Sequence, residues 1–529
     1  MQFIGWMMDV AREQSPSEAW LEALLHRSRD AGYNAVGLYL EHRFAYKSAP
    51  WAAGRGCLTP EVVHRLAERF RGDGPRIIPF LNTLGHMEGF LRAEDGQRYA
   101  ESSGKGSLQL CPSRPECAAF ARGLVADALD AFDDEWVHLG GDETGQLGRC
   151  PLCAERAQQI GKAGLYGEYF GPLCRWVLER GRRPCLWGDM LLAHPEAMEF
   201  IPRQTVIFDW QYEQRPRDST RRLRDHGFDV VCCPSVQTYN SAWCFLDPTR
   251  ANIDEHAADA RELGALGVLV TTWEFCFFSQ FASILPIVLA AGRRLARGED
   301  WHEATTAEGG PQYAQLAELL GNRIPAASAF LKPGTWRQLR DRLVIRRNPF
   351  ELWKDWREEA SGPVGDTILR LCDEADTLLD RFPHRLQGSE TDRRVPHPVR
   401  EATGWGTDAT PAGAHALRFA IELHRVAIQW VRSVEHAHRS YTDGNLTACI
   451  DKLQKGRERL ERLKPGLQKA ADGGGSVADM QRLEELGNKV DGVCERVADL
   501  PTNSAHRPAF ETLVDDAHNS GDQTAWDSG

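Results

Sequence analysis

Along the first 300 residues, short runs of apolar, β-branched and aromatic residues recur. Each is followed by a longer segment in which apolar positions return every three or four residues. The runs fall at 3–8, 35–40, 76–81, 136–139, 184–187, 205–210, 229–233 and 267–273. They show little polar alternation, which is how strands of a parallel sheet read when helices cover them. Helical periodicity fills the gaps, for example at 17–31, 59–71, 115–132 and 166–180. Thr59-Pro60-Glu61 gives an N-cap, a first-turn proline and an early acid, a strong helix start. Eight such units predict an α/β fold, a (β/α)8 TIM barrel over residues 1–330. An open doubly wound sheet is the alternative, but no phosphate-binding glycine fingerprint follows the first run.

Beyond residue 330 the period changes to helical patterns at 334–360, 364–382, 414–441, 445–471 and 477–500. Leu417, Ile421, Ile428 and Val431 fall on one face of the third. A C-terminal helical domain over 331–500 is expected, with a flexible linker near 387–413, rich in Gly, Pro, Thr and charge. Residues 501–529 read as a partly disordered tail. The helical region leaves three roles open: bracing the barrel, forming a homodimer, or walling one side of its mouth.

Composition narrows the classes. Lys and Arg number 63 against 75 Asp and Glu, a net charge of -12, which argues against nucleic acid as the main partner. No apolar run approaches a membrane span, and the first nine residues lack a basic leader, so no membrane role is expected. Fourteen cysteines are scattered, many inside apolar runs, as suits reduced buried thiols and a cytoplasmic location.

The candidate chemistry centres on Glu135-Trp136-Val137-His138-Leu139-Gly140-Gly141-Asp142-Glu143-Thr144. An apolar run ends in two glycines and two carboxylates, so a barrel strand would deliver both acids at its C-terminal end. An Asp-Glu pair there can hold one ionised and one protonated group, as acid/base work requires. A strand followed by an acidic turn is the bland reading. The nucleotide cyclase signature Gly-Gly-Asp-Glu-Phe is a competitor, but Thr144 replaces its Phe. The other predicted strand ends carry Asp9 and Arg12, Glu41, Asn82 with His86, Trp187 with Asp189, Asp209 with Trp210, Tyr239 or Asn240, and Trp273 with Glu274. Three tryptophans with several carboxylates and one arginine suit a sugar, whose C–H faces stack on indole while its hydroxyls meet charged groups.

His138-Leu139-Gly140-Gly141-Asp142-Glu143 resembles the His-x-Gly-Gly-Asp-Glu motif of the family 20 glycoside hydrolases, the β-N-acetylhexosaminidases. Asp9-Val10-Ala11-Arg12 is similar to the Asp-x-x-Arg after their first strand. The segment from Ile78 to Glu88, Leu186-Trp187-Gly188-Asp189-Met190 and Phe208-Asp209-Trp210 look like the cytosolic hexosaminidase D branch. The resemblance covers about residues 1–300. It implies a retaining exo-acting enzyme without a carboxylate nucleophile, in which the substrate's 2-acetamido oxygen attacks the anomeric carbon. On that reading Glu143 is the acid and then the base, and Asp142 orients the acetamido group. Trp187, Trp210 and Trp273 box its methyl, Arg12 and Glu41 hold ring hydroxyls, and His86 and His138 line the mouth. Tyr239 is the candidate donor to the acetamido oxygen. The substrate implied is a small glycoside with a terminal N-acetylhexosamine, with no cofactor.

Two departures stand out. Asn82 occupies a position where secreted members carry Asp, which removes a charged partner expected for His86. Phe275 stands where they carry Glu, which bears on recognition of the sugar's O4 and O6. Cys150-Pro151-Leu152-Cys153 invites a zinc reading, with Cys111, Cys117 or Cys174 as completing ligands. A single CxxC supplies only two ligands, so a reduced structural thiol pair is the expectation, with no metal in the site. A glycosidase selective for galactosaminides or for another sugar, and a non-catalytic sugar-binding barrel, remain the competing functions.

Overall fold

The computed structural model describes residues 1–11, 16–54, 56–102, 106–238, 241–273, 281–333, 339, 342–343, 347–382, 412–472, 478–501 and 507–515. Eight parallel strands form its centre: β1 (Phe3–Asp9), β2 (Ala35–Tyr39), β3 (Arg76–Phe80), β4 (Trp136–His138), β5 (Arg183–Trp187), β6 (Val206–Trp210), β7 (Asp229–Cys233) and β8 (Gly267–Thr272). Ser235–Val236 carries the line of β7 past Pro234 and pairs with β8. Each strand pairs with the next, and β1 closes the ring on β8, with Phe3 opposite Gly267 and Met8 opposite Thr272. The barrel is closed, so the open-sheet alternative falls away.

Strand alternation divides the apolar side chains into two cores. Phe3, Met7, Ile78, Phe80, Cys185, Trp187, Phe208 and Leu269 fill the barrel. Their neighbours Trp6, Met8, Ile77, Leu186, Ile207 and Val268 face outward beneath the helices. Gly37 makes room inside, since a Cβ there would lie 2.5 Å from the Phe80 ring. The covering helices include α1 (Glu18–Ala31), α2 (Pro60–Phe70), α3 (Pro115–Ala131) and α4 (Pro151–Leu178). Ser17 caps α1 and Thr59 caps α2, each accepting a backbone N–H through its hydroxyl.

Helix α4 begins fifteen residues before the predicted 166. Cys150 caps it and Pro151 opens it, but Gly161 breaks its backbone at φ 70°. Glycines at 161, 164, 167 and 171 weaken local helix propensity, and tertiary packing overrides them.

C-terminal to the barrel lie the helices Pro349–Ser361, Pro363–Asp380, Ala412–Thr442, Leu446–Leu460 and Ala478–Ala498. Leu417, Ile421, Ile428 and Val431 are buried there, beside Trp353, Trp356 and Trp430. The first of these begins at Pro349, capped by the Asn348 side chain, and the predicted start at 334 lies outside the described residues. Most of the predicted linker, 387–411, lies outside the described residues. Within the expected tail, Phe510–Asp515 is a helix, and Phe510 packs edge-on against Trp353 at 5.5 Å. No helix among the described residues is long and apolar enough to cross a membrane.

Candidate active site at the barrel mouth

The strand ends that carry the candidate residues open on one side of the ring, as a (β/α)8 barrel requires. β4 stops at His138, and two glycines turn the chain across the mouth. Gly140 and Gly141 have φ of 75° and 93°, and a Cβ on them would lie 2.7 Å from the Leu81 carbonyl and 2.6 Å from the Tyr166 hydroxyl. No other residue fits without displacing these neighbours. The turn sets the two acids in opposite environments. The Asp142 side chain is 10% exposed, whereas that of Glu143 is 56% exposed.

Strain concentrates here. Four described non-glycine residues have positive φ, and three are candidate site residues: Glu41 at 41°, His86 at 50° and Glu143 at 45°. Each such conformation costs on the order of 1–3 kcal/mol, and holding it requires firm surroundings. They are present. Tyr166 donates to the Gly141 carbonyl at 3.0 Å, Tyr169 to the Thr83 carbonyl, and Thr83 to the Leu139 carbonyl at 2.7 Å.

His86 joins the acids. Its Nε2 lies 3.0 Å from Glu143 Oε2 and 3.6 Å from Asp142 Oδ2, and its Nδ1 lies 3.8 Å from Glu88. Burial disfavours the imidazolium, but Asp142, Glu143 and Glu88 outweigh it and raise the pKa well above the ordinary histidine value. The missing charged partner expected from Asn82 is thereby supplied by other residues. Asn82 instead donates to the Tyr39 hydroxyl at 2.7 Å and to the His86 carbonyl at 2.6 Å, fixing the turn.

Asp189, which opens the short helix after β5, accepts the Glu143 backbone N–H at 2.9 Å and the Trp210 indole N–H at 3.4 Å. Burial first, and then the charge of Asp142, push its pKa up to about 7. Trp210 and Trp273 are both partly exposed. Tyr212 links them: its ring stacks obliquely on Trp210 at 5.2 Å, and its hydroxyl accepts from Trp273 Nε1 at 2.6 Å.

Two predicted mouth residues sit elsewhere. Trp187 is fully buried in the barrel, 5.9 Å from Trp273 between ring centroids, so it forms floor rather than wall. His138 is also fully buried. Its ring stacks on Phe80 at 4.5 Å and tilts against Trp187 at 4.4 Å, and its Nδ1 accepts the Gly140 N–H at 3.1 Å. Burial lowers its pKa well below the usual value, so it stays neutral. Both end their strands with their rings packed against the barrel-filling Phe80 and Phe208. Glu41 is buried too, with one oxygen accepting the Gly89 N–H at 2.6 Å and the other 3.5 Å from His42 Nδ1. Asp209 points outward to Ser219 and Thr220. Arg12, Tyr239, Asn240, Glu274 and Phe275 lie outside the described residues.

Glu88 and Tyr212 belong to the assembly without having been singled out, and Asp189, read at the fifth strand end but given no role, belongs to it too. A signal existed for two of them. Asp189 follows Trp187 by two positions, and Tyr212 follows Trp210 by two, the spacing that keeps side chains on one face of an extended chain.

A closed eight-stranded (β/α)8 barrel thus carries acids, an imidazole and partly exposed indoles together at its C-terminal strand ends. The comparisons narrow this further. Residues 46–262 match the model of the glycosyl hydrolase family 20 catalytic domain. A β-hexosaminidase of Akkermansia muciniphila is 23% identical over 207 residues, 36% of this chain and 39% of that protein. A lacto-N-biosidase of Bifidobacterium bifidum is 22% identical over 182 residues, 33% of this chain and 16% of that protein. The chain thus spans well under half the length of these relatives. The chitobiase structure of Flavobacterium johnsoniae superposes with a TM-score of 0.50 at 14% identity, covering 97% of this chain and 74% of that one, a likeness of fold. Residues 46–262, most of the barrel, are thus similar to the catalytic domain of glycosyl hydrolase family 20.

Proposed function

We propose that the protein is a retaining exo-β-N-acetylhexosaminidase that uses its substrate's own acetamido group as nucleophile. The observation that carries this reading is the contrast between adjacent acids: Asp142 sunk in the mouth, Glu143 open to it. An exposed carboxyl can reach a glycosidic oxygen, protonate it and later take a proton from water. A buried carboxylate one residue away can accept the acetamido N–H and stabilise the positive charge of an oxazolinium-like intermediate. Holding that internal nucleophile in place removes on the order of 7–11 kcal/mol from the barrier in favourable cases.

The neighbours take supporting roles. His86 donates through Nε2 to Glu143 and faces Asp142, so its charge stabilises the carboxylate that Glu143 becomes after giving up its proton. Asp189 fixes the Glu143 backbone. Trp210 and Trp273 are the surfaces available to the acetamido methyl, with Trp187 and His138 as the floor beneath. Tyr212, held by the Trp273 indole, is assigned the donor role toward the acetamido oxygen. Arg12 and Glu41 are assigned the ring hydroxyls by family resemblance, Glu41 with one oxygen already committed to Gly89. The hexosaminidase D resemblance and the abundance of thiols favour small intracellular glycosides.

Hydrolysis of aryl β-glycosides of N-acetylglucosamine, N-acetylgalactosamine and glucose tests the reading, with a thiazoline mimic of the intermediate as inhibitor. Turnover of one or both acetamido sugars, with tight thiazoline inhibition, is expected. Equal turnover of the plain glucoside would remove acetamido participation. Sugar binding without turnover of any glycoside would favour a binding-only barrel.

A further inference from the structure

Behind the acid-bearing turn, two loops meet at a buried cluster that the proposed chemistry does not use. Glu101, Cys111, Cys150 and Cys153 are all buried, and one ligand atom from each lies within 4.8 Å of the others. Cys111 Sγ is 3.6 Å from Cys150 Sγ and 3.4 Å from Cys153 Sγ, and Cys153 Sγ is 3.2 Å from Glu101 Oε2. A disulfide needs about 2.05 Å. A tetrahedral zinc ion with Zn–S of about 2.3 Å and Zn–O of about 2.0–2.2 Å sets S···S edges near 3.8 Å and S···O edges near 3.5 Å. The Cys111–Cys150, Cys111–Cys153 and Cys153–Glu101 separations fall a few tenths of an ångström short of those edges, and the other pairs lie within 4.8 Å. We infer that these four side chains bind one zinc ion in a Cys3Glu site that braces the mouth.

The backbone presents all four groups from short, fixed segments. An antiparallel bridge pairs Ala100 with Leu110, with Cys111 N donating to the Tyr99 carbonyl and Glu101 N to the Gln109 carbonyl, so Glu101 and Cys111 stand side by side. Cys150 caps α4, and Cys153 sits in its first turn. The Cys153 N–H donates to Cys150 Sγ at 3.3 Å, which fixes that sulfur at the start of the helix. Glu101 is the least expected member of a merely packed thiol cluster. It is 2% exposed, and no basic side chain among the described residues forms an ion pair with it. Its Oε1 takes the Arg149 and Cys150 N–H groups, which leaves Oε2 aimed at the sulfurs. Burying a carboxylate among thiols is costly without a cation, and a soft S3O set selects zinc. Of the three completing cysteines that the sequence offered, the structure selects Cys111. Cys117 instead points its Sγ at the Tyr99 carbonyl.

The site joins the hairpin that follows His86 to the segment that follows Glu143. It therefore holds the two halves of the acid cluster in register without touching substrate. This inference does not depend on the proposed glycosidase activity, and its readout is metal content.

The full chain, purified from cells grown with zinc, is expected to carry about one zinc by elemental analysis. Cys111→Ser and Glu101→Gln are expected to lose most of it, while Cys117→Ser retains it. Should the variants fail to fold, wild-type protein stripped by chelator and refilled with cobalt supplies the second readout. Intense thiolate-to-metal absorption with tetrahedral visible bands, together with a melting temperature restored by either metal, is expected. Wild-type protein that neither carries zinc nor takes up zinc or cobalt would overturn the assignment. So would a Cys111–Cys153 disulfide, or zinc content unchanged in folded Cys111→Ser.

Discussion

The two ends of the same eight strands follow opposite electrostatic rules. At the N-terminal end, charges are matched in pairs. Arg76 bonds Asp134 at 2.7 Å, Arg183 bonds Asp229 at 2.6 Å, and the Arg76 guanidinium covers the Trp136 ring at 4.4 Å. At the C-terminal end, Glu88, Asp142 and Glu143 crowd one imidazole, and Asp189 is held protonated up to about pH 7 by burial and by Asp142. Three left-handed non-glycine residues sit at this end; the only other one described, Arg347, lies in the helical region. One end is built for stability and the other stores unfavourable contacts, as a site does when its geometry matters more than its folding energy.

Substitutions at the two ends should therefore separate activity from stability. The largest effect is expected from Glu143→Gln, which lowers turnover of a glycoside with a poor leaving group by roughly 10²–10⁴-fold, measured as kcat. Arg76→Met at the opposite end should leave kcat essentially unchanged. Asp142→Asn is expected to lower kcat by roughly 10²–10³-fold, because the amide lacks the charge with which Asp142 is proposed to orient the acetamido group.

Stability should move the other way. Arg76→Met leaves the mostly buried Asp134 without its partner and should cost about 1–3 kcal/mol in denaturant unfolding. Asp142→Asn and Glu143→Gln relieve crowding and should leave the midpoint unchanged or higher. A mouth variant that unfolds as easily as the Arg76 variant would break the comparison.

The smallest expected effect is a pH dependence. The folded pKa of Asp189 is raised from 3.8 to about 7. Folding thus binds a proton, and the associated stability is fully present below the unfolded value and lost as pH rises through about 7. Asp189→Asn should flatten this slope by on the order of 1–3 kcal/mol between about pH 4 and pH 8, since solvent reaches part of the carboxyl. A steeper slope in the variant would reverse the assignment.

The strands were legible because each is a compact apolar run between helices, and the predicted ends lie within a residue or so of the observed ones. The Gly-Gly-Asp-Glu turn was legible because only glycine fits at Gly140 and Gly141. Depth was not. Whether Trp187 and His138 stand at the rim or one layer below depends on strand tilt and on the turn that follows, and local sequence encodes neither. Long-range partners were equally hidden. Asp189 reaches Glu143 across 46 residues, and Cys111 meets Cys153 across 42, through loops whose closure follows from the barrel. The Phe510–Asp515 helix was hidden for the same reason: it is short, and its burial against Trp353 is a tertiary contact.

The mouth is proposed to serve a nucleophile carried by the substrate. The most direct measurement is kcat/KM for a series of aryl β-glucosaminides whose N-acetyl group carries none, one, two or three fluorines. Fluorine withdraws electrons from the amide oxygen while leaving the glycosidic bond and the Glu143 carboxyl as they are. A steep, progressive fall along the series is predicted, and rates indifferent to fluorination would contradict the claim.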